Sequence, residues 1–452
     1  MQPATEVRLT APFASFDFVS RSLVAVAVSG GSDSTAALLI LRDHLLAVQG
    51  SARILALTVD HGLRAGSHDE AVEVGRLCAR LGIDHRILSW SGHKPRTGLL
   101  AAAREARYDL LAAAAQAAGT DMLVTGHTLD DQMETVTMRR ARGPGIGLAG
   151  MAPVTLFDGR LWIARPLLGL TREVLRSFLI ERAVEWTDDP TNADTRFERP
   201  RLRAGADSAA GDDGGAAAIA AAGQGREDLS LAAAALVRNH AGLPRPGLIH
   251  LAPAFLAQSA IDARVHALRI LLAVSGGSAH LPEESRTAAL LERLADPPHR
   301  ATLSRALVLS RRDGVWMCRE TRGLPQGDTL RDGMVWDGRY RLRLARPVSV
   351  AEVASAGPES APAPEAHPDL PSLSVRAAAA AMPLVRPHWD SDANRAATQP
   401  GHGANVSVTP VAAPWARYLS GFDLAVARAV SRLIGAPDIP PPPWRGHIVT
   451  RA

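Results

Sequence analysis

Leu23-Val24-Ala25-Val26-Ala27-Val28-Ser29-Gly30-Gly31-Ser32-Asp33-Ser34-Thr35 decides the fold of the amino-terminal half of this chain. Leu23 to Val28 are apolar without interruption and β-branched at alternate positions, which predicts a buried strand rather than a helix. Ser29 to Ser34 are small and polar. Ala36-Ala37-Leu38-Leu39-Ile40-Leu41 then continues as a helix, with Ser32 or Asp33 expected at its cap. Strand, glycine loop and helix start, in that order, form an oxyanion cradle. Glycines let backbone N–H groups approach the anion, and the helix N-terminus adds partial positive charge. Asp33 is the odd member. A bare carboxylate repels phosphate, so its expected task is to hold a cation, Mg²⁺ being the usual one.

Outward from this stretch the same alternation repeats over residues 21–150. Arg53–Val59 is a second buried strand and ends in Asp60-His61-Gly62-Leu63-Arg64. Residues 68–81 have helical periodicity, His85–Leu88 is a short strand, and the alanine-rich residues 99–118 are helical. Asp121–Thr125 is strand again and runs into Gly126-His127-Thr128-Leu129-Asp130-Asp131-Gln132-Met133-Glu134-Thr135, which opens another helix. Strands alternating with helices predict an α/β fold with a doubly wound parallel sheet. Ligands of such sheets sit beyond the carboxyl ends of the strands. Ser29–Ser34, Asp60–Arg64 and Gly126–Glu134 each follow a strand directly, so three polar clusters converge on one edge.

Two glycine-rich stretches are decoys. Gly145-Ile146-Gly147-Leu148-Ala149-Gly150 matches the dinucleotide pattern but follows a helix, not a strand. Ser275-Gly276-Gly277-Ser278-Ala279 mimics the first loop but lacks its carboxylate, and reads as a helix-ending turn. The first loop is not of the Walker type either, which needs a lysine after its second glycine. Lys94 is the only lysine of the chain and reads as a loop residue.

Composition sets the outer limits. With 452 residues the chain allows two or three domains, and 46% hydrophobic residues support a sizeable core. Cys78 and Cys318 form no Cys-x-x-Cys pair, which argues against a disulfide framework and against cysteine-bound zinc or iron–sulfur. No apolar run reaches the length of a membrane span. Met1–Ser20 lacks a signal-peptide core, so a cytoplasmic location is expected. The net charge of +4 is carried almost wholly by arginine, which permits nucleic-acid binding without demanding it.

Leu161–Ile163 reads as a strand, followed by Arg165-Pro166-Leu167-Leu168 and a helix from Thr171 to about Ala183. Asp188–Asp194 is a loop, with Arg196, Arg199, Arg201 and Arg203 crowded behind it. The expected organisation is an α/β domain over 1–205 and a flexible low-complexity linker over 206–228. A helical and hairpin region over 229–345, a Pro/Ala-rich linker over 346–372 and a tail over 373–452 complete it. The hairpins turn at Arg312-Asp313-Gly314 and Trp336-Asp337-Gly338, and the tail carries a helix near Phe422–Ile434.

Ser-Gly-Gly-x-Asp-Ser resembles the pyrophosphate loop of enzymes that split ATP into AMP and pyrophosphate. Taken with Asp60–Arg64, Ala103-Arg104-Glu105-Ala106-Arg107-Tyr108, Thr125–Thr135, Arg142-Gly143 through Gly147-Leu148, Arg165–Leu168 and Asp189-Pro190 through Arg203, the first 205 residues resemble the tRNA(Ile)-lysidine synthase family. The resemblance implies a ligase that adenylates the wobble cytidine of tRNA(Ile) with ATP and joins free L-lysine to carbon 2. It also implies that 1–205 is the catalytic domain and 229–345 a tRNA-binding region, and it implies residue roles. Ser29, Gly30, Gly31, Ser32 and Ser34 wrap the pyrophosphate, and Asp33 holds Mg²⁺. Asp131 and Glu134, three apart on one helix face, hold the lysine ammonium or a second metal, or simply form a capped helix start. His127 contacts phosphate or closes its turn. Asp60, with His61 beside it, contacts the nucleotide, or Asp60 contacts the metal or enters the next helix. Arg104, Arg107, Arg196, Arg199, Arg201 and Arg203 suit tRNA phosphates, and Tyr108 suits stacking on a splayed base.

Three other readings compete. A tRNA thiolase with the same loop that carries sulfur through cysteine pairs would need Cys-x-x-Cys, and an amidotransferase relative would need an ammonia source. A non-catalytic tRNA-binding module has no use for Asp33, Asp131 and Glu134.

Overall fold

A computed structural model describes residues 9–63, 66–92, 94–143, 145–187, 213–345, 351–360, 368–387, 406–412 and 414–445. The chain divides into two compact units, one of Met1–Arg226, Tyr418–Phe422 and Pro440–Ala452, the other of Glu227–Arg417 and Asp423–Ile439.

The first unit is built on the stretch quoted at the outset. Leu23–Ala27 is strand β1, buried along its whole length, as a strand covered on both faces must be. It pairs in parallel with β2 (Arg53–Asp60) on one side and β4 (Met122–Val124) on the other. β3 (Asp84–Ser89) extends the sheet beyond β2, and β6 (Leu161–Ala164) extends it beyond β4, both in parallel. Two antiparallel strands close that second edge. They are β5 (Val154–Phe157), which was not foreseen, and β18 (Tyr418–Ser420), which returns from far along the chain. The full order is β18-β5-β6-β4-β1-β2-β3. The chain steps one way from β1 to β2 and β3 and then crosses back to β4, so the topological switch lies between β1 and β4.

The connecting helices are α1 (Ser32–Ala47), α2 (Ser67–Leu81), α3 (Leu99–Ala117), α4 (Leu129–Arg140) and α5 (Arg172–Glu181). Alternate residues Leu23, Ala25 and Ala27 of β1 share one core cluster with Leu55, Leu57, Leu123 and Ile163, and with Tyr108, Leu111 and Ala115 of α3. Tyr108 is 1% exposed and packs between Phe157 and Tyr418, so it is a core residue and not the stacking platform expected of it. The decoy Gly145–Gly150 follows α4 and contains a single 3-10 turn, Ile146–Ala149. Gln132 and Arg139 of α4 hold its carbonyls and those next to it.

Helix α6 (Asp213–His240) occupies most of what was expected as the linker 206–228; its alanines form helix rather than loose chain. Within 229–296 the hairpin β7 (Ala241–Arg245) and β8 (Leu248–Leu251) interrupts the expected helical run. β8 joins this hairpin to a sheet ordered β7-β8-β11-β10-β9, with β9 (His299–Leu303), β10 (Ala306–Arg311) and β11 (Gly314–Arg319) antiparallel. The two faces of β11 alternate as a strand requires. Val315 and Met317 join the cluster of α7 (Ile261–Gly276) and α8 (Glu284–Leu294), while Trp316 and Cys318 join Val375 and Ala378 of α9 (Ser372–Ala380). The second decoy is the C-terminal turn of α7: an added Cβ at Gly276 would stand 1.8 Å from the Ser304 carbonyl oxygen, so only glycine fits.

The expected linker 346–372 is partly regular. Its strand β15 (Ala351–Ser355) pairs with β12 (Asp328–Thr329) and with β16 (Pro383–Pro387). The hairpin β13 (Val335–Trp336) and β14 (Tyr340–Leu344) turns where expected and pairs onward with β17 (Val406–Pro410). Helix α10 (Leu424–Ile434) matches the expected tail helix and buries Val426 and Val430 in the α7 cluster. Among the described residues no helix is long and apolar enough to cross a membrane.

Candidate functional site

The site lies beyond the carboxyl ends of β1 and β4, at the switch point. After β1 the chain enters Ser29–Gly31, with Gly30 at φ +89°, a left-handed conformation that favours glycine. Gly31, not Ser32 or Asp33, is the N-cap of α1, and no side chain caps the helix. The first-turn N–H groups of α1 therefore have no side-chain acceptor competing for them at the cap, as an anion site needs. The Ser34 hydroxyl closes the loop from below. It stands 3.0 Å from the Gly31 carbonyl oxygen and 3.1 Å from the Ser29 N–H. Ser29 remains exposed at the rim.

Asp33 is not an isolated carboxylate. The Ser32 hydroxyl donates to its Oδ1 at 3.0 Å, and Arg172 Nε donates to its Oδ2 at 2.9 Å. Arg172 opens α5, directly after the N-cap Thr171. Its guanidinium also reaches Asp131 Oδ1 at 3.5 Å, and its backbone N–H donates to Asp130 Oδ2 at 2.7 Å. Burial works against the charged guanidinium, but Asp33, Asp131 and Asp130 outweigh it and raise its pKa. Arg172 thus joins two of the carboxylates expected to be functional, and sequence reasoning missed it. A signal existed: a cation in the first turn opposes the helix dipole and asks for a carboxylate partner.

Asp131 is 8% exposed and forms a capping box with Thr128. Thr128 N–H donates to its Oδ2 at 2.9 Å, while its Oδ1 faces Arg172. The capped helix start is therefore real, but it is buried rather than solvated and uses one carboxylate oxygen. Glu134, 9% exposed, sits one turn further on the same helix. His127 Nδ1 lies 2.8 Å from the Thr125 hydroxyl, which ties the ring to its own turn.

Gly126 is a second residue that the sequence reading passed over. A Cβ there would stand 2.5 Å from the Asp33 carbonyl oxygen, so the β4–α4 loop touches the first turn of α1 only because position 126 is glycine. The Leu129 N–H donates to the Leu170 carbonyl at 2.9 Å and ties the start of α4 to the start of α5. Helices α1 and α5 lie side by side, linked by Asp33–Arg172 at one end and Asp43–Arg182, at 2.7 Å, near the other. Three helix N-termini and three aspartates meet in one place.

Asp60 turns into its own loop. Its Oδ1 accepts from the Ser67 hydroxyl at 2.7 Å and the Gly62 N–H at 2.9 Å, so it braces the loop ahead of α2, whose N-cap is Gly66 with no side-chain cap. The Ser67 bond, chiefly, holds its carboxyl below the usual value against the opposing effect of burial. His61 lies edge-on to Trp90, with ring centroids 6.0 Å apart. Burial, then Arg107, lowers its pKa, with Asp60 opposing and Lys94 adding to the effect. Its Nδ1 is buried with no hydrogen-bond partner among the described residues. Lys94 is a loop residue, as expected, and braces this region by donating to the Gly62 carbonyl at 2.9 Å. Arg104 is exposed over the Tyr108 ring and Arg107 is half-buried. Arg64, Arg196, Arg199, Arg201 and Arg203 lie outside the described residues.

Among the described residues no group of three or more His, Cys, Asp or Glu side chains forms a metal cage. Asp33 alone fits Mg²⁺ in another way. That ion keeps most of its waters and binds through one or two carboxylates and substrate phosphates. Each carboxylate oxygen of Asp33 has a second acceptor position beyond its Ser32 or Arg172 contact.

The PP-loop domain family (ATP_bind_3) matches residues 1–206. A tRNA(Ile)-lysidine synthase from Mesorhizobium japonicum is 46% identical over 459 residues, which cover 99% of this chain and 98% of that one. A tRNA(Ile)-lysidine synthase from Brucella anthropi is 40% identical over 346 residues, covering 73% of this chain and 76% of its own. Among solved structures, the U34-tRNA thiolase NcsA from Methanococcus maripaludis superposes with a TM-score of 0.42 at 16% identity, over 50% of this chain and 80% of that one. That superposition is too loose to bear on function.

Proposed function

The chain belongs to the tRNA(Ile)-lysidine synthase family, and on that premise we propose how its own residues divide the reaction. It is an ATP-utilising ligase of the PP-loop type. The proposed substrates are tRNA(Ile) with a CAU anticodon, ATP and free L-lysine, in the cytoplasm. The oxygen at carbon 2 of the wobble cytosine is a very poor leaving group. Its attack on the innermost phosphorus of ATP breaks the bond to pyrophosphate and leaves that oxygen carrying AMP. The lysine amine, having given up a proton, then bonds to carbon 2, and AMP departs with the oxygen. Positioning and charge stabilisation supply most of the rate in such a sequence.

In this reading Ser29, Gly30, Gly31, Ser32 and Ser34 receive the pyrophosphate at the uncapped start of α1. Asp33 holds Mg²⁺, which when bound neutralises charge on the phosphates. Asp131 and Glu134, on one face of the start of α4, hold the lysine ammonium and draw the proton from the attacking amine. His61 offers its buried Nδ1 to the nucleotide, beside Asp60, while His127 steadies the loop above the phosphates. Arg104 and Arg107, with Arg196, Arg199, Arg201 and Arg203, take the tRNA backbone.

The observation that carries this reading is the joining of Asp33 and Asp131 through Arg172 at the switch point of the sheet. The test is incubation with labelled lysine, ATP and an isoleucine tRNA transcript. Label is expected in the tRNA with the natural chain and to be lost with Asp33→Ala. Unlabelled tRNA with the natural chain would overturn the assignment, and full labelling by Asp33→Ala would overturn the role of that carboxylate.

A further inference from the structure

Arg172 stands where its charge is least welcome. It occupies the first turn of α5, where the helix dipole is positive, and it lies beside the phosphate cradle with a fifth of its side chain exposed. What holds it there is acidic. The side chain reaches Asp33 at 2.9 Å and Asp131 at 3.5 Å, and the backbone N–H reaches Asp130 at 2.7 Å. The guanidinium is long, planar and forked, so it can face carboxylates on two different helices, which a point charge cannot. Its Nε contact falls on the same Asp33 side chain that the reaction assigns to the divalent cation.

We propose that Arg172 is a positioning residue that acts as an internal stand-in for the incoming cation: it keeps Asp33 and Asp131 together while the cradle is empty, and gives up Asp33 when the cation arrives with the triphosphate. This rests on the assignment of Asp33 to that cation. Without a counter-charge, Asp33, Asp130 and Asp131 would repel one another across the starts of α1 and α4. With Arg172 in place, the cradle keeps its shape before substrate binds. The guanidinium stays anchored at Asp131 after release, so the lysine-binding carboxylate remains oriented. The arrangement also makes cation and guanidinium competitors for one carboxylate. Removing the guanidinium therefore tightens cation binding while loosening the site.

The experiment measures free Mn²⁺, as a spin-active substitute for Mg²⁺, by electron paramagnetic resonance in the presence of the full-length chain and a fixed concentration of an ATP analogue that cannot be cleaved, against the analogue alone. Arg172→Gln is expected to bind Mn²⁺ about fivefold more tightly than the natural chain, the size of one half-buried ion pair. In turnover assays the same variant is expected to show a raised KM for lysine. Arg172→Lys keeps the charge but as a point charge cannot face both carboxylates, so it is expected to hold Mn²⁺ affinity near the natural value while raising the KM for lysine, and a natural KM in this variant would overturn the bridging role should the glutamine variant unfold. A purely structural role would weaken every parameter together. Unchanged or weaker Mn²⁺ binding by folded Arg172→Gln, with Asp33→Asn clearly impaired, overturns this proposal alone. Equal binding by the natural chain and Asp33→Asn overturns the assignment of Asp33 and this proposal with it.

Discussion

At Asp60 the surrounding hydrogen bonds decide what the carboxylate does. The Ser67 hydroxyl and the Gly62 N–H hold it in the charged form, with its pKa below the usual value of 3.8. A depressed pKa stabilises the folded state at every pH above the unfolded value. That contribution disappears as the pH falls through the folded value. Asp60→Asn is therefore expected to lower stability by about 1 kcal/mol at pH 7, and by progressively less as the pH drops below about 4. Urea unfolding across that range measures it, and a loss independent of pH would contradict the assignment. The same residue shows what a sequence can disclose. Asp60 ends a strand, its sequence context allows a nucleotide contact, a metal contact or a helix entry, and the partners that hold it lie within a few positions. Arg172 was invisible because its partner Asp33 is 139 positions away in sequence, and only the close packing of α1 and α5 unites them. Tyr108 failed for a similar reason: one of the rings that bury it, Tyr418, comes from the far end of the chain.

Among the elements, the strand–loop–helix unit Leu23–Ala47 was legible because every cue is local: an apolar run, a glycine turn and a helical period. The cap was misplaced by a residue or two because Ser32 and Asp33 both suit a cap, whereas the chain leaves that position to Gly31. The site exists because two such units are pressed together. The point of contact is Gly126, where any β-carbon would meet the Asp33 carbonyl. Gly126→Ala is expected to force the β4–α4 loop away from α1, cost about 1–3 kcal/mol and abolish lysine transfer. Thermal unfolding and the labelled-lysine assay check it together. An alanine variant of natural stability and activity would show that the two loops do not need this approach.

Across the whole molecule, alternation of strand and helix disclosed the doubly wound sheet, because each parallel crossover repeats the same pattern. What stayed hidden was built from composition that imitates loose chain. Alanine-rich residues from Asp213 onward are helix α6, and Pro/Ala-rich residues around Ala351–Ser355 form a strand between two short neighbours. Prolines stand at both ends of β16, in a sheet of only three strands, where they are tolerated. The amino-terminal unit and the curated relatives make this chain an ATP-utilising enzyme that modifies tRNA, and the mode of ATP cleavage is the centre of the account. The most direct test supplies ATP labelled separately at its innermost and outermost phosphates to the full-length chain with tRNA(Ile) and lysine, and resolves the products. The result expected is AMP and pyrophosphate in equal amounts, matched by lysine joined to tRNA, whereas release of ADP and orthophosphate would contradict it.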